Sequence, residues 1–305
     1  MRASTRPTIV IQTFRNHNIP PWIQRCLDSV RGWAQLRDYD YVLHGDEFYE
    51  LCGPEYLSRG KKGPQAITDL ARLIATRQRL DEGYSRVIWM DADMFVFNPG
   101  KLTFDFPDEQ ITTGYALGRE VWLWREPKGQ FYTSGPMCHN AAMLFTQRAA
   151  DLDMLVSLIR HIDANRNIFS SLQVGVQLLR GLQYSLMFPT LSHVALFSPD
   201  LIHAIAKRDR KILQFYCDAY RYPAFAANLS LSRQSPAAET TLHRAMDQLE
   251  SDGGEILNEH ATETGVQLVP CDYDRAVEIG VRRLNDVWRA GLRKLRSRLG
   301  TNGSE

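Results

Sequence analysis

Asp91-Ala92-Asp93 stands directly behind an apolar run, Arg86–Met90 (RVIWM). In an extended chain alternate residues point to one face, so this spacing presents two carboxylates side by side. At the carboxyl end of a buried strand that face opens into the crevice where α/β sheets take ligands. Hard carboxylate oxygens suit Mg²⁺ or Mn²⁺, ions that complete their shell with phosphate oxygens and water. Two like charges held out of water repel unless a cation joins them, so the pair reads either as a metal–phosphate site or as a solvated turn. The chemistry available to such a centre is Lewis-acid assistance to a group transfer in which a diphosphate departs.

The elements that must position this pair are legible on either side of it. Thr8–Phe14 (TIVIQTF) predicts a buried strand, Pro21–Leu36 a helix with Ile23, Leu27 and Val30 at helical spacing, and Tyr39–Leu43 a second strand. Strand, helix, strand is the start of a parallel α/β sheet. Pro64 opens a long helix to about Glu82, with Gly83 as its stop, and Asp69, Arg72, Thr76 and Arg79 form a polar stripe along it. Asp69 and Arg72 read either as a solvated i, i+3 ion pair or as a carboxylate beside a phosphate-binding guanidinium fork. Further on, the sequence predicts strands at Met94–Phe97, Ile111–Tyr115, Val121–Trp124 and Ala141–Thr146, then helices over Gln147–Ile162 and Ser171–Leu182. Two more apolar segments follow at Tyr184–Phe188 and His193–Phe197. Trp122 and Trp124 alternate along one predicted strand, with Phe131 and Tyr132 in the loop after it, an aromatic surface suited to sugar rings or to core packing.

The 305 residues are 44% hydrophobic and 23% charged, ordinary for a globular protein of one large domain with an appendage. A net charge of +1 removes any global attraction to nucleic acid. Five scattered cysteines, without metal-binding or disulfide spacing, suggest a reducing compartment. With neither a long apolar span nor a signal-type N-terminus, the expected location is cytoplasmic.

Several of these stretches together resemble glycosyltransferase family 32. Gln12-Thr13-Phe14 with Ile19-Pro20, the strand end Asp40–Leu43 with Asp46-Glu47, and Thr68-Asp69-Leu70-Ala71-Arg72 are similar to that family's opening motifs, and the Asp91-Ala92-Asp93 strand follows in the same order. Asn140–Phe145 (NAAMLF) resembles a strand of related retaining enzymes, with Ala142 where glycine is usual. The match spans roughly residues 8–145. It implies a GT-A fold, a mainly parallel sheet flanked by helices, binding a nucleotide-sugar donor. By resemblance, Asp93 would coordinate Mn²⁺ or Mg²⁺ and Asp91 would meet the ribose or donor sugar beside it. Asp69 would hold the donor sugar, Arg72 its diphosphate, and Gln12 and Phe14 would lie along the nucleotide, with Phe14 on the base. Asn140 would bond a sugar, His203 would be a further metal ligand, and Lys207 would face the diphosphate. The implied reaction is retaining transfer from a UDP-linked donor to a saccharide or glycolipid acceptor in surface polysaccharide assembly. An aspartate-nucleophile phosphatase and a non-catalytic nucleotide-sugar binder stay open as alternatives.

Near residue 232 the composition changes, which predicts a main domain over 1–232 and a helical extension over 233–305. Within it, residues 275–299 carry an apolar stripe at spacings of three and four, with eight basic side chains against two acidic ones. Such a helix either lies on an anionic membrane surface or packs on the main domain.

Overall fold

The chain alternates strands and helices through its first ninety residues, and each crossover returns a strand parallel to the last. In the computed structural model residues 6–59, 63–165, 174–229, 236–265 and 268–271 are described. The elements run β1 (Arg6–Thr13), α1 (Pro21–Leu36), β2 (Asp40–His44), α2 (Pro54–Ser58), α3 (Pro64–Asp81), β3 (Tyr84–Met90) and β4 (Met94–Val96). Then come β5 (Tyr115–Glu120), β6 (Leu123–Arg125), β7 (Phe131–Thr133), β8 (Met137–Thr146), α4 (Leu152–Asn165) and α5 (Val176–Leu186). The last group is β9 (Thr190–Leu191), β10 (Val194–Leu196), α6 (Pro199–Lys207), α7 (Arg210–Tyr220), β11 (Ala226–Asn228), α8 (Pro236–Asp252), α9 (Glu255–Asn258) and β12 (Leu268–Val269).

The main sheet has the order β12-β9-β5-β8-β3-β1-β2. Five of its strands point the same way, and β8 and β12 run against them. The expected α/β architecture is present. Both faces are covered, so alternate residues of one strand enter different cores. Ile9 and Ile11 of β1 and Val87 and Trp89 of β3 pack with α3 and α4, whereas Val10, Ile88 and Met90 pack with Val30 and Trp33 of α1. A third cluster joins the first turns of α1 to α6, α7, α8 and α9. Residues 236–258, expected in an appendage, therefore share a core with the sheet's first helix. The expected boundary near 232 and the basic segment 275–299 lie outside the described residues.

Several elements differ from the sequence reading for local reasons. Ile111–Gly114 closes a turn, Gly114 N–H donating to Ile111 O at 2.8 Å, so the strand begins only at Tyr115. Trp122 lies outside β6, leaving Trp124 as the strand's exposed indole. The apolar run Tyr184–Phe188 supplies the end of α5 rather than a strand, and α4 starts at Leu152, five residues later than the periodicity suggests.

One irregularity positions the residues of interest. β5 and β8 pair in register at Leu117 with Met143, then resume at Gly118 with His139, so residues 140–142 of β8 have no partner on β5. Such a bulge re-aims side chains. Here the buried His139 ring holds it: Nδ1 accepts the Ala141 N–H at 3.2 Å, and Nε2 lies 3.3 Å from Val194 O. Burial drives the His139 pKa down to about 4, so the ring is neutral, with Nε2 as its donor. The ring occupies the space above Gly118, where any Cβ would meet Nε2 at 2.1 Å. Gly118→Ala must push the ring off the bulge, a change expected to cost about 1–3 kcal/mol. Urea unfolding checks it, and stability within about 0.5 kcal/mol of the parent, the range of an ordinary surface change, would contradict this account.

Candidate active site

Asp91 follows the last residue of β3, and its backbone is held from both neighbouring strands. Its N–H donates to Ala141 O in the β8 bulge at 2.7 Å, and its carbonyl accepts from Gln12 Nε2 at 3.0 Å. Gln12 is fully buried, and its own oxygen accepts from Tyr41 Oη at 3.0 Å. The expected donor-facing role of Gln12 is thus replaced by one behind the site, where its amide ties β1, β2 and β3 together. The two aspartates are not in an extended strand either. Met94 N–H donates to Asp91 O at 3.0 Å, so Asp91–Met94 is a tight turn, and the carboxylates converge through that turn rather than through strand alternation.

Arg72 is the hub. It projects from α3 with only 6% of its side chain exposed, and its guanidinium stacks on the Trp89 ring with Cζ 5.0 Å from the centroid. Nη1 contacts Asn140 O at 2.6 Å and Asp91 Oδ1 at 3.2 Å, Nη2 contacts Asp69 Oδ1 at 3.0 Å, and Nε donates to Thr68 O at 3.3 Å. Two of these contacts, to Thr68 O and Asn140 O, are hydrogen bonds, and the two to carboxylates are ion pairs. Asp69, Arg72 and Thr76 of the polar stripe on α3 therefore face inward, Arg79 pairs with Glu82 nearer the surface, and Asp69–Arg72 is a buried pair rather than a solvated one. Asp69 also accepts from Asn140 Nδ2 at 2.8 Å. Gly175, just before α5, lies so close that a Cβ there would meet Asp69 Oδ2 at 2.1 Å.

Asp93 is fixed by a residue with no sequence motif to announce it. Asn228, buried at the end of β11, donates through Nδ2 to Asp93 Oδ1, while Leu229 N–H donates to Asp93 O at 3.0 Å. A polar residue ending the apolar stretch Phe225–Asn228 was the available signal. Trp89 Nε1 donates to Asp91 Oδ1 at 2.7 Å. The side-chain contacts to both aspartates fall on Oδ1, which leaves Oδ2 of each for a cation.

The electrostatics are unbalanced. Burial, opposed by Arg72, raises the Asp69 pKa to about 6. Burial also raises Asp91, although 26% of its side chain is exposed, with Arg72 and the Trp89 N–H pulling the other way. Burial and then the neighbouring Asp91 raise Asp93 to about 7, against its own backbone N–H, Asn228 and Arg72. Three carboxylates around one guanidinium leave a deficit of two positive charges when all are ionised, which matches one divalent ion. Among the described residues no third His, Cys, Asp or Glu joins them as a ligand group. Two carboxylates with phosphate and water oxygens are nonetheless a sufficient donor set for Mg²⁺ or Mn²⁺.

Arg72, Trp89, Asp91 and Asp93 floor an open cleft of about 540 Å³, whose walls include Phe14, Trp22, Tyr49, Gln65 and Thr68, with Asp69 and Asn140 behind Arg72. It opens beyond the carboxyl ends of β1 and β3, where the chain goes from β1 to β2 on one side and returns past β1 to β3 on the other, the usual place for a ligand on an open α/β sheet. Arg15 stands at the mouth over the Phe14 ring, Cζ 5.6 Å from its centroid. The structure thus gathers Asp69, Arg72, Asp91, Asp93 and Asn140, with Phe14 on the wall. His203 and Lys207 are not part of this cleft. Both are exposed on α6, and His203 lines a separate depression beside Asp200 and Arg125, because its helix faces outward there to cover α8 with its apolar side.

No protein-family model and no curated protein matches the chain. Among solved structures it is similar to a glycosyltransferase involved in glycosylation of the major capsid of PBCV-1, at 11% identity over 79% of this chain and 99% of that one, TM-score 0.40. It is also similar to apo mouse xyloside xylosyltransferase 1, at 13% identity over 76% and 99%, TM-score 0.41. A third is apo GlyE of Streptococcus pneumoniae TIGR4, at 12% identity over 82% and 64%, TM-score 0.38. At these values the likeness assigns no role to any residue here.

A carboxyl whose pKa rises on folding binds its proton more tightly in the folded chain. The Asp93 contribution to stability is therefore full below its ordinary value of 3.8 and lost as pH rises through about 7. A cation competes with that proton, so Mn²⁺ is expected to raise Tm more at pH 8 than at pH 6, and Asp93→Asn to abolish the difference. Equal Mn²⁺ shifts at both pH values would refute the assignment. Asn228→Ala frees the Asp93 carboxylate to turn, and calorimetric titration should show Mn²⁺ affinity lowered by about 10–100-fold.

Proposed function

We infer that the chain is a metal-dependent glycosyltransferase of GT-A type that transfers a sugar from a nucleotide-sugar donor to a saccharide or lipid-linked acceptor. The observation that carries this reading is the convergence of Asp91 and Asp93 at the switch-point cleft, with Arg72 and Asn140 fixed behind them. A catalytic aspartate nucleophile of the phosphatase kind fits less well, because the acidic pair follows the third strand and its backbone is locked into a turn.

Asp91 and Asp93 would hold Mn²⁺ or Mg²⁺, and that ion would neutralise the diphosphate as it leaves. The chain's own residues do the positioning. The cleft volume lies in the range that encloses a ligand of nucleotide size. Phe14, Trp22 and Tyr49 offer apolar walls to a base and ribose, and Gln65 and Thr68 offer hydrogen bonds at the rim. Arg72 keeps Asp69 and Asp91 in place and, lining the cleft, would meet a phosphate or sugar oxygen of the donor. Asp69 and Asn140, bonded to each other, hold Arg72 from behind the cleft. The arrangement is set before a donor arrives, so little reorganisation is needed as charge develops. UDP as the nucleotide, a retaining course and a role in surface polysaccharide assembly follow from the family resemblance. A lipid-linked acceptor would suit the basic segment 275–299, and among the described residues no helix is long and apolar enough to cross a membrane.

A panel of UDP-sugars incubated with Mn²⁺ tests the reading through released UDP. Hydrolysis of at least one donor is expected, lost on EDTA treatment and reduced by about 100-fold or more in Asp93→Asn while the circular dichroism spectrum is unchanged. Undiminished turnover in that variant would rule the metal role out.

A further inference from the structure

The helices α6 and α7 meet at the junction Arg208-Asp209, and cations crowd this corner. Lys207, Arg208, Arg210 and Lys211 follow almost without a break, and all are exposed. Among the described residues none of Lys207, Arg210 and Lys211 pairs with a carboxylate. Arg208 Nε donates to the amide oxygen of Gln248, a neutral partner, at 2.5 Å. The carboxylates of the neighbouring turns are engaged elsewhere. Asp209 Oδ1 accepts the Ile212 N–H at 3.3 Å as the cap of α7, and Asp218 accepts from Gln214 at 2.7 Å. Asp252 accepts from Gln248 at 2.7 Å and from the Gly254 N–H at 2.9 Å.

Three of these cations stand where the fold alone would choose otherwise. Arg208 ends α6 at φ 54°, in the left-handed region that favours glycine. Its own N–H donates to Ile205 O at 3.0 Å and the next N–H, of Asp209, to Ala204 O at 2.9 Å, so the helix end imposes the conformation. Arg210 and Lys211 open α7, at the positive end of the helix dipole, in a first turn that holds no acidic residue. Local rules broken without a gain to the folded chain point to a use for these side chains at the surface. The same corner carries an uncovered ring. Phe215 lies one turn beyond Lys211 on the same face of α7 and is 41% exposed.

We propose that the α6–α7 corner seats the protein on an anionic lipid surface, with the cations among the headgroups and the Phe215 ring in the acyl boundary. A bilayer rewards both features together. A nucleic acid strand is held in a basic groove by successive stacking platforms, and this corner offers one ring. The net charge of +1 leaves no general attraction to polyanions, so binding must come from the patch itself. α6 and α7 pack in one cluster with Trp22 and Ile23 of the cleft wall, so attachment here holds the cleft at a fixed place relative to the bilayer. The docking does not depend on the transferase reading.

Co-sedimentation of the full chain with vesicles of equimolar phosphatidylglycerol and phosphatidylcholine tests it, beside vesicles of phosphatidylcholine alone and a duplex DNA. Binding to the mixed vesicles is expected, weakened by added salt, with little to the neutral ones. The double variant Arg210→Gln/Lys211→Gln should bind the mixed vesicles about 30-fold more weakly, the loss of two surface cations. Its Tm should not fall, since both cations oppose the dipole of α7. Phe215→Ser should weaken binding about tenfold, and by the same factor at low and high salt. Equal binding to neutral and mixed vesicles, or no binding to either, would overturn the proposal. So would a folded double variant that binds within about twofold of the parent, because the attachment then belongs to another segment. DNA held as tightly as the mixed vesicles would replace the bilayer with a nucleic acid.

Discussion

One guanidinium among three carboxylates is the constraint around which the rest is arranged. Buried ionised carboxylates are tolerated only when paired and hydrogen-bonded, and removing the single partner of such a group is far costlier than the pair is worth. Arg72 meets that demand for Asp69 and Asp91 at once. It can do so only because its own position is over-determined. Trp89 supports its face, α3 supplies the Thr68 carbonyl, and the β8 bulge supplies Asn140 O. Helix, strand and bulge must therefore all be in place before the cleft has a floor. The irregular pairing at Gly118 and His139 belongs to the same arrangement, since a regular β8 would not turn the Asn140 carbonyl and amide toward α3.

The charge that Arg72 leaves uncompensated is the physical ground for proposing a cation at this site. Asp93 and Asp69 hold protons more readily than free carboxyls because burial makes the empty, fully ionised site unfavourable. A proton or a divalent ion relieves the same excess, and only the ion also attracts a diphosphate. Asn228 decides the geometry of that choice: by taking Oδ1 of Asp93 it leaves the other oxygen for the ion. A site that is strained without its cation and balanced with it couples ligand binding to local order.

Residues with local signals were legible in the sequence, and those fixed by tertiary pairing were not. Arg86–Met90 is apolar at every position after the first because β3 is buried on both faces, and the acidic pair behind it could be read directly. The i, i+3 spacing of Asp69 and Arg72 was equally plain, although only packing shows that the stripe faces inward. Gln12 was noticed for its motif but sits behind the site, since the amide at a strand end is the group that can bridge β1 to β2 and β3. The tight turn of Asp91–Met94 depends on β4 turning away to pair with β11, more than 130 residues later, and no local pattern carries that information. Asn228 carried only a weak signal, a polar residue closing an apolar stretch, and its partner Asp93 is set by the same distant pairing. His203 was suggested by the family resemblance alone, and an outward-facing helix places it away from the cleft.

The C-terminal helices show how far the catalytic unit extends. Trp22 and Ile23, in the first turn of α1, form part of the cleft wall. One turn on, Arg25 meets Asp247 at 2.8 Å and Glu250 at 2.9 Å on α8, with its guanidinium 5.9 Å from the Phe95 ring of β4. The ion pairs are largely exposed and contribute little by themselves. The apolar seam beside them, Leu242, Ala245, Met246 and Leu249 against α1 and α6, is what holds α8 in place. A chain cut near residue 232 would uncover that seam and release the helix that shapes the wall. Among the described residues α8 and α9 thus belong to the same apolar cluster as α1 and α6, and the wall of the cleft rests on that cluster.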